Sequence, residues 1–318
     1  MHTAISSKTT IFNPNHNASI MKFERETSAY DLVYEKDITI NMPQMCIEGI
    51  SENWLFREFG GVHWDLLSKG LGTNTGDLID ANGERLYASF VRIRLVGAVA
   101  LNDFRENEHV RLTGKISRYG NSMYFSELSL ISLEDASKVY KADLITIFSV
   151  RASDNNKSLQ KSKSEVKENR VINLKKIPEF GLEYRLIKMQ KLHQLNLNGH
   201  NFEVSDHIIS EIEHRINPYY EVNGVGLLYF AAYPTISDSC EAQYFNMHHP
   251  SDKKWEQTYF TSSRDVMYYA NCNLCDSIIY RLNSIEQVDE NTIKVASSLH
   301  RKSDNALMAR IYTIKHKR

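Results

Sequence analysis

Cysteine is scarce in this chain. Cys46, Cys240, Cys272 and Cys275 are the only four in 318 residues, too few to staple a fold of this length with disulfides. Cys272 and Cys275 alone stand at a ligand-like spacing. A zinc site would need a second such pair or histidines at ligand spacing, and a redox pair would open a helix. Here the pair falls between strand-like runs at 267–269 and 278–280, so it reads as ordinary thiols. His248-His249 and the His193/His200 pair lack partner ligands in the same way, and no metal is expected. Long apolar runs are missing too, which argues against a membrane-spanning helix, and no basic start precedes an apolar stretch. Nor is there an excess of one charge. Lys+Arg 38 against Asp+Glu 39 gives a net −1 and a pI near 6.9, with no global field to draw nucleic acid or anionic lipid. The expectation is a cytoplasmic protein with neither nucleic acid nor membrane as partner.

The length suits two domains of ordinary size or one domain doubled internally. Residues 1–40 are polar and irregular, with Asn-Pro-Asn at 13–15, and read as an N-terminal extension. Ser51 then opens a helical pattern with Trp54, Leu55, Val62, Leu66 and Leu67 broadly on one side, loosened or kinked by Gly60-Gly61. Strand-like runs follow at 86–95, 110–117, 123–130 and 144–150. Residues 153–176 change character to Asp, Asn, Lys, Ser and Glu, a composition that reads as a mobile or surface connection. After it the pattern returns: an opening strand at 202–204 or 211–216, an apolar helix over 225–244, and strands at 265–270, 278–283, 292–299 and 306–315. The halves overlay. Residues 108–112 match 276–280 at a shift of 168, and residues 141–147 match 308–314 at a shift of 167. Two nearly equal offsets predict a duplicated helix-plus-meander: repeats at 41–152 and 181–318, joined by a linker at 153–180.

The segment from Tyr219 to Tyr233 carries the most chemistry. In it Asn223-Gly224-Val225-Gly226 leads into the aromatic-rich Leu227-Leu228-Tyr229-Phe230-Ala231. It resembles the loop-and-helix signature of hot-dog-fold acyl-thioester enzymes, which implies an α+β double hot-dog in this duplicated chain. Where related 4-hydroxybenzoyl-CoA-type thioesterases place a catalytic Asp, this chain has Asn223. A neutral amide donates a hydrogen bond but serves neither as base nor as carboxylate nucleophile. Gly224 and Gly226 suit a backbone that approaches a ligand closely, beside helix N-terminal N–H groups that can meet a thioester oxygen. They equally suit a tight turn, and Tyr229 stands as core residue or substrate contact.

Three places together resemble the LnmK-type bifunctional acyltransferase/decarboxylase family of polyketide biosynthesis, over roughly residues 42–315. They are Met45-Cys46 with Gly49, Gly60-Gly61 and Trp64; Leu86-Tyr87-Ala88-Ser89-Phe90; and Asn223 to Ala231 with 267–274 after it. The resemblance implies decarboxylation of (methyl)malonyl-CoA and transfer of the acetyl or propionyl group to the phosphopantetheine thiol of an acyl carrier protein. It implies no bound cofactor, acyl-CoA and a carrier protein as partners, and leaves a homodimer open. A family tyrosine proposed to carry the acyl group falls on Tyr87, with Tyr124 and Tyr229 as alternatives. Decarboxylation makes an enolate, so a carboxylate at 223 would repel the substrate's own, while Asn223 offers a donor. His63, beside Trp64, is the candidate base for a phenol that is protonated at neutral pH. Trp64, Phe90 and Val91 are candidate apolar walls, and Arg92 and Arg264 candidate partners for CoA phosphates. A hot-dog thioesterase or dehydratase, and a non-catalytic carrier-binding protein, are the competing readings.

Overall fold

The computed structural model describes residues 32–47, 49–153, 155–166, 169–249 and 253–318. The first half contains β1 (Val33–Thr39), α1 (Glu52–Leu71), β2 (Tyr87–Gly97), β3 (His109–Tyr119), β4 (Met123–Ser132) and β5 (Val139–Arg151). A connecting segment holds α2 (Glu179–Lys188) and a small hairpin of β6 (Gln194–Leu197) and β7 (His200–Glu203). The second half repeats the series as β8 (Ser210–Arg215), α3 (Ala232–His248), β9 (Tyr259–Tyr268), β10 (Ser277–Gln287), β11 (Thr292–Arg301) and β12 (Leu307–Lys317). The long strands form one sheet in the order β1-β3-β4-β5-β2-β9-β12-β11-β10-β8. Each half therefore has the same strand order, and the two meet at β2 and β9.

The ladders repeat as well as the order. β2 carries a register shift between Phe90 and Arg92 against β5, and β9 carries one between Thr261 and Ser263 against β12. Matching the bulges sets 261 against 90, a shift of 171. The strands facing them align Ile314 with Ile145, a shift of 169, while β3 and β10 start at 109 and 277, a shift of 168. The 168 expected for β3 is what the structure has. The 167 expected for β5 is two short, and a slip of two leaves the in-and-out alternation untouched, so the pattern alone accepts it.

Two boundaries differ from expectation, and one open alternative is resolved. Val33–Thr39 pairs with β3 as the sheet's edge strand, so the first repeat begins inside the stretch read as an extension; residues 1–31 of that extension lie outside the described residues. Of the two candidate opening strands, Ser210–Arg215 joins the main sheet, while Phe202 belongs to the separate hairpin. α3 starts at Ala232 rather than near Val225. The linker is also more structured than its composition indicates. Leu159–Lys161 pairs with β5, Ile172–Asn173 pairs with β3, and α2 follows.

α1 and α3 pack on one face of the sheet in a core that includes Leu55, Phe59, Leu66, Tyr233 and Ile236. On the other face Phe180, Tyr184 and Ile187 of α2, with Leu195, Leu197 and Phe202 of the hairpin, cover Val91, Phe125, Ile145, Met267 and Tyr312. β9 is consequently buried on both faces along nearly its whole length. Two charged networks cross the seam between the repeats. Asp265 accepts from Arg92 Nε at 2.9 Å and Nη2 at 2.8 Å and from Arg94 Nε at 2.7 Å, and Glu183 of α2 accepts from both arginines at 2.7 Å. Burial opposes ionisation of Asp265, but the two guanidiniums outweigh it and hold the carboxyl below its ordinary range. On the helix side, Arg264 pairs with Glu52 and Asp238, each at 2.8 Å.

α1 passes through both glycines unbroken. Gly60 is needed: a Cβ there would lie 2.5 Å from Phe230 Cζ. Gly61 meets nothing within 4 Å. Gly61→Ala should therefore stabilise the protein by about 0.5–1 kcal/mol through helix propensity alone, read as a raised urea midpoint. Asp265→Ala should cost about 3–5 kcal/mol, because it leaves two arginines at the seam with Glu183 as their one remaining shared carboxylate. A urea unfolding curve that barely moves would show that the seam does not depend on this pair.

Candidate active site

The β2–β9 ladder is short. It runs from Val96↔Ser263 to Arg92↔Met267 and stops. Beyond that point the chain of β2 back to Tyr87 and the chain after Met267 diverge, and a cavity of about 460 Å³ occupies the gap. Its walls come from both cores: Trp64, Leu86, Ala88, Phe90, Leu228 and Phe230 from the helix side, and Val91, Ile147, Tyr184 and Tyr269 from the α2 side. The segment 221–231 closes one end of it.

That segment is a tight turn rather than a helix start. Asn223 Oδ1 accepts from Val225 N at 3.1 Å and Leu227 N at 3.0 Å, its backbone N–H donates to Leu227 O at 2.9 Å, and Gly226 adopts φ +79°. Asn271 pairs with both backbone groups of Leu228, accepting its N–H at 2.9 Å and donating to its carbonyl at 3.0 Å. Asn156, from the supposed linker, donates to Gly226 O at 2.6 Å and to Cys272 O at 3.1 Å. Arg151 donates to Val225 O. The amides of Val225, Leu227 and Leu228, expected to face a thioester oxygen, are thus occupied by side chains of the chain itself.

Tyr87, Trp64, Phe90, Asn223, Gly224 and Tyr229 all line this one cavity. Gly226 does not line it; its carbonyl is held by Asn156. His63 stands behind the wall, fully buried, with its ring 6.3 Å from that of Phe90. Both ring nitrogens are engaged, Nδ1 with Ser126 Oγ and Nε2 with Thr146 Oγ1, each at 2.8 Å. Desolvation pushes its pKa down to about 3. The imidazole is a neutral core residue whose ring nitrogens already have partners, which corrects the expectation that it serves as base to Tyr87. Arg92 and Arg264, expected to meet phosphates, are both fully buried in the seam networks. Of the alternatives to Tyr87, Tyr229 lines the cavity, while Tyr124 is buried with its hydroxyl accepting from Asn169.

The cations that do reach the cavity are others. Arg85, Lys157, Lys161 and Lys188 line it, and Arg85, Lys161 and Lys188 are exposed. Lys157 is paired with Asp276 at 3.1 Å. Two guanidiniums stand over the Tyr87 ring, Arg85 at 5.6 Å and Arg151 at 5.1 Å from its centroid. Among the described lining residues there is no Asp, Glu, His or Cys. Ser89 and Ser149, hydrogen-bonded to each other, add hydroxyls beside Tyr87. Tyr87 and Asn223 were legible from local motifs. Arg85, Arg151 and Asn156 were not, since none stands in a pattern of its own; Asn271 lies in the 267–274 stretch of the resemblance, where no role was expected of it.

The architecture matches solved structures along most of its length. The 12:0-ACP thioesterase from Umbellularia californica superposes with a TM-score of 0.64 at 10% identity, over 91% of this chain and 95% of that one. An acyl-ACP thioesterase from Bacteroides thetaiotaomicron superposes with a TM-score of 0.56 at 9% identity, over 89% and 97%. The chain has the double hot-dog fold. No protein-family model and no curated protein sequence matches it. At these identities the likeness is one of fold, and the chemistry has to be argued from the double hot-dog's own cavity.

His63 also sets a pH dependence. Between its unfolded value near 6.5 and its folded value of about 3, the unfolded chain binds a proton there that the folded chain does not. Stability should therefore fall as pH drops below 6.5, by about 1.4 kcal/mol per pH unit at most from this group. Denaturation curves from pH 7.5 to 4.5 should show a shallower decline in His63→Gln than in the wild type.

Proposed function

We propose that this double hot-dog decarboxylates a malonyl-type CoA thioester and passes the acyl group to the phosphopantetheine thiol of an acyl carrier protein. The observation that carries the reading is the cavity's composition: apolar walls and a cationic rim, with Asn223 where a hydrolase would present a carboxylate. Arg85, Lys161 and Lys188 suit the phosphates of CoA or of a carrier's prosthetic group. Deeper in, Trp64, Phe90 and Phe230 would strip water from a substrate carboxylate and favour its departure as neutral CO2. Among the described lining residues no carboxylate would repel the enolate that remains.

The steps balance without a cofactor. Methylmalonyl-CoA loses CO2, and the thioester enolate takes one proton from solvent to give propionyl-CoA. The Tyr87 hydroxyl then displaces CoA thiol to form a tyrosyl ester, and the carrier thiol displaces Tyr87 to give the propionyl carrier and restore the phenol. The resemblance of 86–90 and 223–231 to the LnmK-type family supports the same assignment. The fold shared with thioesterases favours a second reading, hydrolysis of an acyl thioester, which would need water activated by a group other than Asp, Glu, His or Cys of the described cavity wall.

Incubation with methylmalonyl-CoA and carrier protein distinguishes the two: CO2 with propionyl-CoA or propionyl carrier supports the proposal, and free acid as the main product supports hydrolysis. Asn223→Asp should keep the turn, since the atom that caps it remains an acceptor, yet suppress decarboxylation by adding charge to the pocket. Tyr87→Phe should abolish transfer if the hydroxyl bears the acyl group. If it only donates to the enolate, the rate should drop about 10²–10³-fold. Full activity in both variants would mean the chemistry takes place elsewhere.

A further inference from the structure

The cavity's wall toward α1 is a pair of stacked rings. Phe90 and Phe230 lie 3.7 Å apart between centroids at an interplanar angle of 16°. Phe90 belongs to β2 just before the bulge, and Phe230 to the turn that precedes α3, so the stack joins a strand of one repeat to a loop of the other. Phe230 is seated directly on α1. At Gly60 a Cβ would come within 2.5 Å of its Cζ and 2.9 Å of its Cε1, and Phe56 packs beside it at 6.5 Å. Trp64, one turn further along α1, lines the cavity at the edge of the same wall. A side chain larger than that of glycine at 60 would collide with the far edge of this ring. The stack separates the cavity from the space along α1 in which His63 and Phe56 are packed.

From this arrangement the geometry points to a specificity device: the Phe90–Phe230 stack, seated on Gly60, limits the acyl group to a short chain and excludes medium and long ones. The inference rests on the thioester reading above and adds to it which residues would set the length of the acyl group. A volume of about 460 Å³ lies toward the small end of ligand sites, which run from about 300 to 1,000 Å³. With a pantetheine arm seated between the cationic rim and Asn223, an acyl chain that extends toward α1 meets the two rings. Stacked aromatics packed on helix backbone do not yield as a flexible Met or Leu side chain would. Phe90 is the ring to remove, because it is only partly buried and Phe230 keeps its seat without it.

The test uses thioether analogues of CoA, which no hydrolase or transferase can turn over, so that binding is read without chemistry. Calorimetry would compare S-propyl-CoA with S-octyl-CoA on the full chain. The wild type should favour S-propyl-CoA at least tenfold. Phe90→Ala should erase or reverse that preference by tightening S-octyl-CoA, and Phe90→Leu should move it the same way by less, which keeps the test open should the alanine variant fold poorly. Gly60→Ala should act in the opposite sense, driving the Phe230 ring into the cavity and weakening S-propyl-CoA several-fold. Equal or tighter binding of S-octyl-CoA by the wild type, or an unchanged ratio in both Phe90 variants, would overturn the inference while leaving the thioester reading intact. Failure of the wild type to bind either analogue would overturn both.

Discussion

One carboxylate holds the two halves of this molecule in register. Asp265 lies at the centre of the short β2–β9 ladder, fully buried, and receives hydrogen bonds from Arg92 and Arg94 of the other repeat. A charge in that position is costly to desolvate, and it persists only because its partners are fixed with good geometry and have a second carboxylate, Glu183, to share. The same cluster anchors α2: Arg92 donates to Phe180 O, and the Phe180 ring lies 4.3 Å from its guanidinium carbon. Seam register and the cover over the second face of the sheet are thus set by one group of side chains.

The cavity follows from that geometry. The ladder ends at Arg92 and Met267, beside the β2 bulge between Phe90 and Arg92, while the β9 bulge lies at the ladder's other end, and the strands part beyond the last pair. A bulge bends its strand and raises the local twist, so the gap is a consequence of how the two sheets are joined rather than of any one side chain. The turn at 221–231 then fills the end of the gap, held by its own Asn223, by Arg151 at the end of β5 and Asn156 just after it, and by Asn271 after β9. Backbone groups that would otherwise face the cavity unpaired are satisfied by amides. The side chains at the cavity include the Tyr87 hydroxyl, the serines beside it and the cationic rim.

Composition misled at two places for the same reason. Residues 153–176 are polar, yet the segment contributes Asn156 and a strand at Leu159–Lys161, because polar side chains that tie backbone together serve as well as apolar ones in a loop. His63, Arg92 and Arg264 have residue types that suit catalysis or phosphate binding, yet all three are fully buried and internally paired. The identity of a polar residue does not tell whether its partners are a ligand or other parts of the protein.

The sequence by itself determined what depends on local period and local steric rules. The start of α1 at Ser51, whose hydroxyl caps Trp54 N, the two four-strand meanders, the doubling at a shift near 168, and the clustering of Tyr87, Trp64, Phe90 and Asn223 were all legible in spacing and motif. Only the tertiary structure decided which face of the sheet α2 covers, that 225–231 turns instead of coiling, and which arginines are buried. Those outcomes depend on contacts such as Asp265 with Arg92, Gly60 with Phe230 and Asn156 with Gly226, between residues 173, 170 and 70 positions apart. Period and propensity act over a few residues, whereas desolvation and packing act between whatever the fold brings together.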